Sequence, residues 1–181
     1  MRIPQINKAN MAKTAALVGV MAASVSCGKL ALSFIPNVEV VTLLLALYSY
    51  VFGIAGVMAA FVFVCIEPLI YGFGPWFVTY LIYWPLLAFC FYLLGKANKG
   101  TRWIATGVAV LSTVLFGVIS SIVDVLFLTG ITQYFFRNFA LFYVRGFVFY
   151  AVQISCNAVL FSTLFEFASR KLGIIKRRMS L

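Results

Sequence analysis

Apolar residues in this chain come in long unbroken runs, with neither the alternation of a half-exposed strand nor the one-sided stripe of a surface helix. Val40–Ala60 and Val78–Leu94 hold no charged residue, and most of the basic residues gather at the two ends of the chain and in one interior gap. Lipid cannot hydrogen-bond a bare backbone, so segments of this kind cross a membrane as helices or as strands of a closed barrel. These runs outlast the ~10 residues of a barrel strand and do not alternate, which predicts helices.

Divided at Gly, Pro and charge, the sequence predicts an all-α, polytopic membrane protein of six helices: Ala12–Phe34, Val40–Phe52, Gly53–Tyr71, Trp76–Leu94, Trp103–Leu128 and Phe139–Ala168. The second is short of the ~20 residues of a full crossing. It shares Gly53 with the third as a joint, with Gly56 close behind, so a tight turn is expected there. No loop approaches domain size, so residues 1–181 are one transmembrane domain, with residues 1–11 and the basic tail 170–181 outside the bilayer.

The charges assign an orientation. Six crossings put both termini on one side, together with Arg2, Lys8, Lys13, Lys96, Lys99, Arg102, Arg170, Lys171, Lys176, Arg177 and Arg178. Lys29, Arg137 and Arg145 fall on the other side. Basic residues gather in cytoplasmic loops, so both termini are predicted cytoplasmic. The net charge of +10 is then accounted for by topology and by attraction to anionic lipid, with no need of nucleic acid. A basic start, an apolar Ala15–Val25 and Cys27 resemble a lipoprotein signal peptide. Ser24 stands where an aliphatic residue belongs, and cleavage would set Lys96–Arg102 opposite the C-terminal tail, so the first span is expected to stay.

The remaining polarity is sparse. Four acids are present: Glu39, Glu67, Asp124 and Glu166. Glu166 precedes Arg170 by four residues, the spacing of a helix-surface ion pair. Glu39 follows Pro36 and reads as a solvated loop acid or a ligand contact. Glu67 follows the apolar Phe61–Ile66 and must pair inside the bundle, with Lys29 a candidate, or meet a ligand. The ligand-facing role is the expectation. Arg145, Phe149, Gln153 and Asn157 recur every four residues, one stripe on the last helix, with Tyr150 on its flank. Such a stripe should face the bundle interior, either lining a substrate site or pairing Arg145 with Asp124 in the fifth helix. Tyr71, Trp76, Tyr80 and Trp84 can stack a planar ligand or form the membrane's aromatic belt.

Chemistry that is missing narrows the function. There is no His, and Cys27, Cys65, Cys90 and Cys156 stand singly, so no metal-ligand spacing exists. No phosphate-cradling Gly-rich motif with its Lys appears, and Ser120–Ser121 beside Asp124 is too slight for a catalytic constellation. Neither an enzyme nor a cofactor is expected. In the first helix, Ala15, Gly19 and Ala23 form a small-residue face that suits close helix approach, either within the bundle or to a separate subunit.

Taken together, these features resemble the substrate-binding S component of energy-coupling factor (ECF) transporters, a branch of the ATP-binding-cassette family. The resemblance rests on the six-helix plan and length, on Ala15/Gly19/Ala23, on the loop Phe34-Ile35-Pro36-Asn37-Val38-Glu39 and on Glu67-Pro68-Leu69-Ile70-Tyr71-Gly72-Phe73-Gly74. It implies a multi-pass protein of a prokaryotic plasma membrane that binds a vitamin or precursor near the outer face. A scaffold membrane subunit, docked on Ala15/Gly19/Ala23, and two cytoplasmic ATPases would then drive release inside. By position, that pocket would draw on Asn37, Glu39, Glu67, Tyr71, Trp76 and Tyr80 from the first four helices and their loops. Arg137, Arg145, Phe149, Tyr150, Gln153 and Asn157 would complete it. The resemblance leaves the ligand open; a cobalamin-type compound or its precursor, or another aromatic heterocycle, would suit an aromatic-rich pocket. A stand-alone secondary carrier using Asp124 or Glu67, and an assembly or regulatory protein, are the rival expectations.

Overall fold

The computed structural model describes residues 8–36 and 38–179. Over them the chain is all-helical, in seven helices: α1 (Lys8–Ala31), α2 (Val41–Phe52), α3 (Ile54–Tyr71), α4 (Pro75–Lys96), α5 (Arg102–Leu128), α6 (Phe135–Arg145) and α7 (Phe147–Arg178). Five of these, α1, α3, α4, α5 and α7, are long and apolar enough to cross a membrane, and α2 is apolar but shorter. Large apolar side chains also cover the outside of the bundle, among them Val20, Leu69, Leu111 and Val159. A water-soluble surface of this kind would aggregate, whereas lipid accommodates it. The chain has the make-up of a helical membrane protein.

α2 is the centre of the bundle and packs against α3, α4 and α7. Its sequence is apolar on every side, the pattern of a helix surrounded by others. Leu45 and Ala46 are fully buried, and Phe63, Tyr83, Phe91, Phe161 and Phe165 close around it. Two glycines set how closely its neighbours come. A Cβ on Gly56 would lie 2.3 Å from the Ser49 backbone nitrogen, and one on Gly95 would lie 2.3 Å from the Tyr50 carbonyl oxygen. The expected tight joint is present at Gly53, whose φ of 68° suits glycine. Lys176 Nζ donates to the Val51 carbonyl at 2.7 Å, giving a partner to one of the last carbonyls of α2.

A buried series of small residues, Ala105, Ala109, Thr113, Gly117 and Ser121, runs along α5 at a spacing of four. It brings α5 against α7, where Thr113 meets Asn157 and Gly117 meets Tyr150. The corresponding face of α1 behaves differently. α1 packs through Val18, Met21, Ala22 and Val25, while Ala15, Gly19 and Ala23 are exposed. Nothing lies within 4 Å of where a Gly19 Cβ would be. The small-residue face is therefore not spent on packing within the described chain.

Two sequence expectations need correction here. The predicted last span, Phe139–Ala168, is not one helix. It breaks at Gly146 into α6 and the much longer α7, since glycine weakens a helix and the Tyr150 ring fills the space beside it. The four-residue stripe is therefore cut after its first member. Arg145 ends α6 and is exposed, Gln153 is half-buried and Asn157 is fully buried. The proposed Asp124–Arg145 ion pair is also absent. Among the described residues, the ion pairs are Lys29–Glu67 and Glu166–Arg170, the latter as the spacing predicted.

Candidate functional site

At the end of the bundle where α1 meets α2 and α3 meets α4, the helices enclose a cavity of about 390 Å³. Six of its fifteen lining residues are aromatic. Tyr80 and Trp84 on α4 lie on one helix face, four residues apart, with ring centroids 5.6 Å apart. Phe116 on α5 meets Tyr80 at 6.4 Å, and Phe149 and Tyr150 on α7 line the opposite wall. Tyr150 reaches its place because Gly117 and Gly146 carry no side chain. A Cβ at either would come within 3.0 Å of its ring or hydroxyl. Leu32, Ser33, Ile35, Pro36, Val38 and Glu39 line the remaining side.

The floor is polar and built around Glu39. This residue lies just before α2, and its Oε2 accepts from the Thr42 amide at 2.9 Å, satisfying an N-terminal donor of the helix. Its Oε1 accepts from the Thr42 hydroxyl, from Gln153 Nε2 at 3.4 Å and from Asn157 Nδ2 at 3.3 Å. Asn157 Nδ2 also donates to Thr113 Oγ1 at 3.0 Å, and that hydroxyl donates to the Ala109 carbonyl at 2.9 Å. Asn157 lies ~15 Å along α7 from its start, and Thr113 lies near the middle of α5. Glu39 is half-buried, and its carboxylate is held by side chains from inside the bundle rather than standing free in a loop, which corrects the solvated-loop reading.

This placement also explains the short α2. Its 12 residues rise ~18 Å, because the connection before it descends to the Glu39 cluster before the helix begins.

Glu67 corrects the favoured expectation in the opposite direction. It is 1 % exposed and bonded to Lys29 Nζ. Lys29 lines the cavity, and its ammonium lies 4.4 Å from the Tyr71 ring centroid and 5.1 Å from that of Tyr80. One charge is thus neutralised by another and shielded by two aromatic rings. Glu67 supports the wall from behind and does not face the cavity.

Of the other candidate residues, Glu39, Tyr71, Tyr80, Phe149, Tyr150 and Gln153 line the cavity, and Asn157 lies beneath it. Trp76 is one layer back, with its ring 5.2 Å from Tyr80. Arg137 and Arg145 are exposed on α6 and take no part in the lining. Asn37 lies outside the described residues. Thr42, Tyr83, Thr113 and Phe116 join the site without having been singled out by sequence. Thr113 had a signal in the small-residue series of α5; Phe116 and Tyr83 read only as apolar filler within their runs.

Two buried polar atoms around this site have no hydrogen-bond partner among the described residues: Trp84 Nε1 and Asn157 Oδ1. Trp84 is only 3 % exposed and lines the cavity. Groups buried in this way usually have partners, and each one left over calls for a water or a ligand atom. The arrangement can hold a small aromatic molecule between ring faces and hydrogen-bond it from below. Comparison with protein-family models, curated proteins and solved structures yields no match for the chain.

Proposed function

We propose that this chain is the substrate-binding S component of an ECF-type transporter, taking up a vitamin or vitamin precursor. The carrying observation is the cavity of about 390 Å³ lined by aromatic rings, with its polar Glu39–Gln153–Asn157 floor, opening at one end of an apolar bundle. In this reading α2 counts as a crossing despite its length, because the Glu39 connection completes the path. Both termini are cytoplasmic. Lys96, Lys99 and Arg102 lie on the cytoplasmic side with the basic C-terminal end of α7, and the cavity opens outward.

The exposed Ala15, Gly19 and Ala23 of α1 are where the scaffold subunit docks, and two cytoplasmic ATPases supply the energy. The membrane is the plasma membrane of a prokaryote. A cavity at the lower end of the ~300–1,000 Å³ range of small-molecule sites suits a one- or two-ring heterocycle rather than a corrinoid.

The test is uptake in a host carrying this chain with or without the scaffold and ATPase subunits. Accumulation of a labelled vitamin only when all are present supports the reading. Accumulation by this chain alone would replace it with a secondary carrier, in which Glu39 would serve as an ion site.

A further inference from the structure

The charges at the cavity do not balance. Lys29 and Glu67 neutralise each other. Glu39 has four donors, the Thr42 amide and hydroxyl, Gln153 Nε2 and Asn157 Nδ2, and every one is neutral. No cation stands within ion-pair distance of it among the described residues. A half-buried carboxylate among apolar helices is stabilised by a counter-charge or a rich donor set, and a ligand that brings the counter-charge gains from it.

The neighbouring surfaces indicate what kind of cation fits. Gln153 and Asn157 direct N–H groups at Glu39, whereas a metal ion needs a shell of oxygens. The same cavity is lined by the rings of Tyr80, Trp84, Phe116 and Phe149. Aromatic faces attract delocalised organic cations, most strongly when water is excluded. Trp84 Nε1, buried at the cavity wall and lacking an acceptor, can donate to an acceptor on the same ligand.

We infer that the site selects an organic cation: a flat nitrogen heterocycle bearing positive charge, stacked between the aromatic walls with its charged nitrogen toward Glu39. This deepens the reading of the chain as a substrate-binding subunit and rests on it.

The test uses three bicyclic probes of similar shape in nanodiscs, with empty discs as the blank: 1-methylquinolinium (cationic), quinoline (neutral) and quinaldate (anionic). Tryptophan fluorescence reports binding near Trp84. Saturable binding of 1-methylquinolinium is expected, with quinaldate about thirtyfold weaker or undetectable, from its repulsion by an unpaired, half-buried carboxylate. E39Q keeps an acceptor for the Thr42 amide and should lose cation binding by a similar factor. Wild-type preference among the probes needs no variant, so a misfolded E39Q would not spare the inference. Quinaldate or quinoline binding as tightly as the cation overturns it, as does a folded E39Q with unchanged affinity. Failure of all three probes also overturns it. A native ligand that survives purification but elutes as a neutral or anionic compound would reject the charge assignment and leave the binding-subunit reading intact.

Discussion

At the scale of single residues, the clearest division is between the two acids at the cavity. Glu39 is left with neutral donors at the floor, and Glu67 is bound to Lys29 behind the wall. Breaking a buried pair from one side leaves an uncompensated charge, while replacing both partners with apolar residues can be neutral. Lys29→Met should therefore cost about 3–5 kcal/mol, and Lys29→Met with Glu67→Leu should regain most of it. Thermal unfolding in a fixed detergent reads both. Equal loss in the single and double variants would show that the pair is not what holds this corner. Glu67 also shows where sequence reading stops. An acid inside an apolar run must have a partner, but partner and ligand satisfy that need equally, and only the position of α1 beside α3 decides between them.

At the scale of elements, four helices were legible because their ends are written in Gly, Pro and charge. α2, α3, α4 and α5 begin and end within a few residues of the apolar runs. The last span was misjudged because Arg145, which precedes Gly146, was read as the head of a polar stripe on one helix rather than as a boundary. Glycine is common in membrane helices, so its presence alone does not signal a break. The descent of the Glu39 connection was hidden for a similar reason, since a short helix after Pro36 reads the same whether its loop is solvated or buried. Contacts between elements set a sharper prediction. Gly56→Ala and Gly95→Ala each drive a methyl into backbone, so each should destabilise by about 3 kcal/mol, the upper end of overpacking costs. Gly107→Ala meets nothing within 4 Å and should unfold at or slightly above the wild-type temperature. Tolerance of both tight substitutions would mean that α2 does not sit against α3 and α4 as described.

At the scale of the whole molecule, the account requires an orientation and an occupant. The orientation is read by single cysteines on a cysteine-free background. A membrane-impermeant reagent on intact cells should label Thr132→Cys and should reach Lys99→Cys only after permeabilisation. The reverse pattern would put the cavity on the cytoplasmic side and remove the uptake reading.

The occupant is the central claim, and native mass spectrometry of the protein purified alone in mild detergent tests it most directly. The account predicts a discrete small-molecule adduct, retained from the host or acquired from a vitamin mixture, with a mass suited to a one- or two-ring heterocycle. A spectrum that stays empty after that feeding would contradict it.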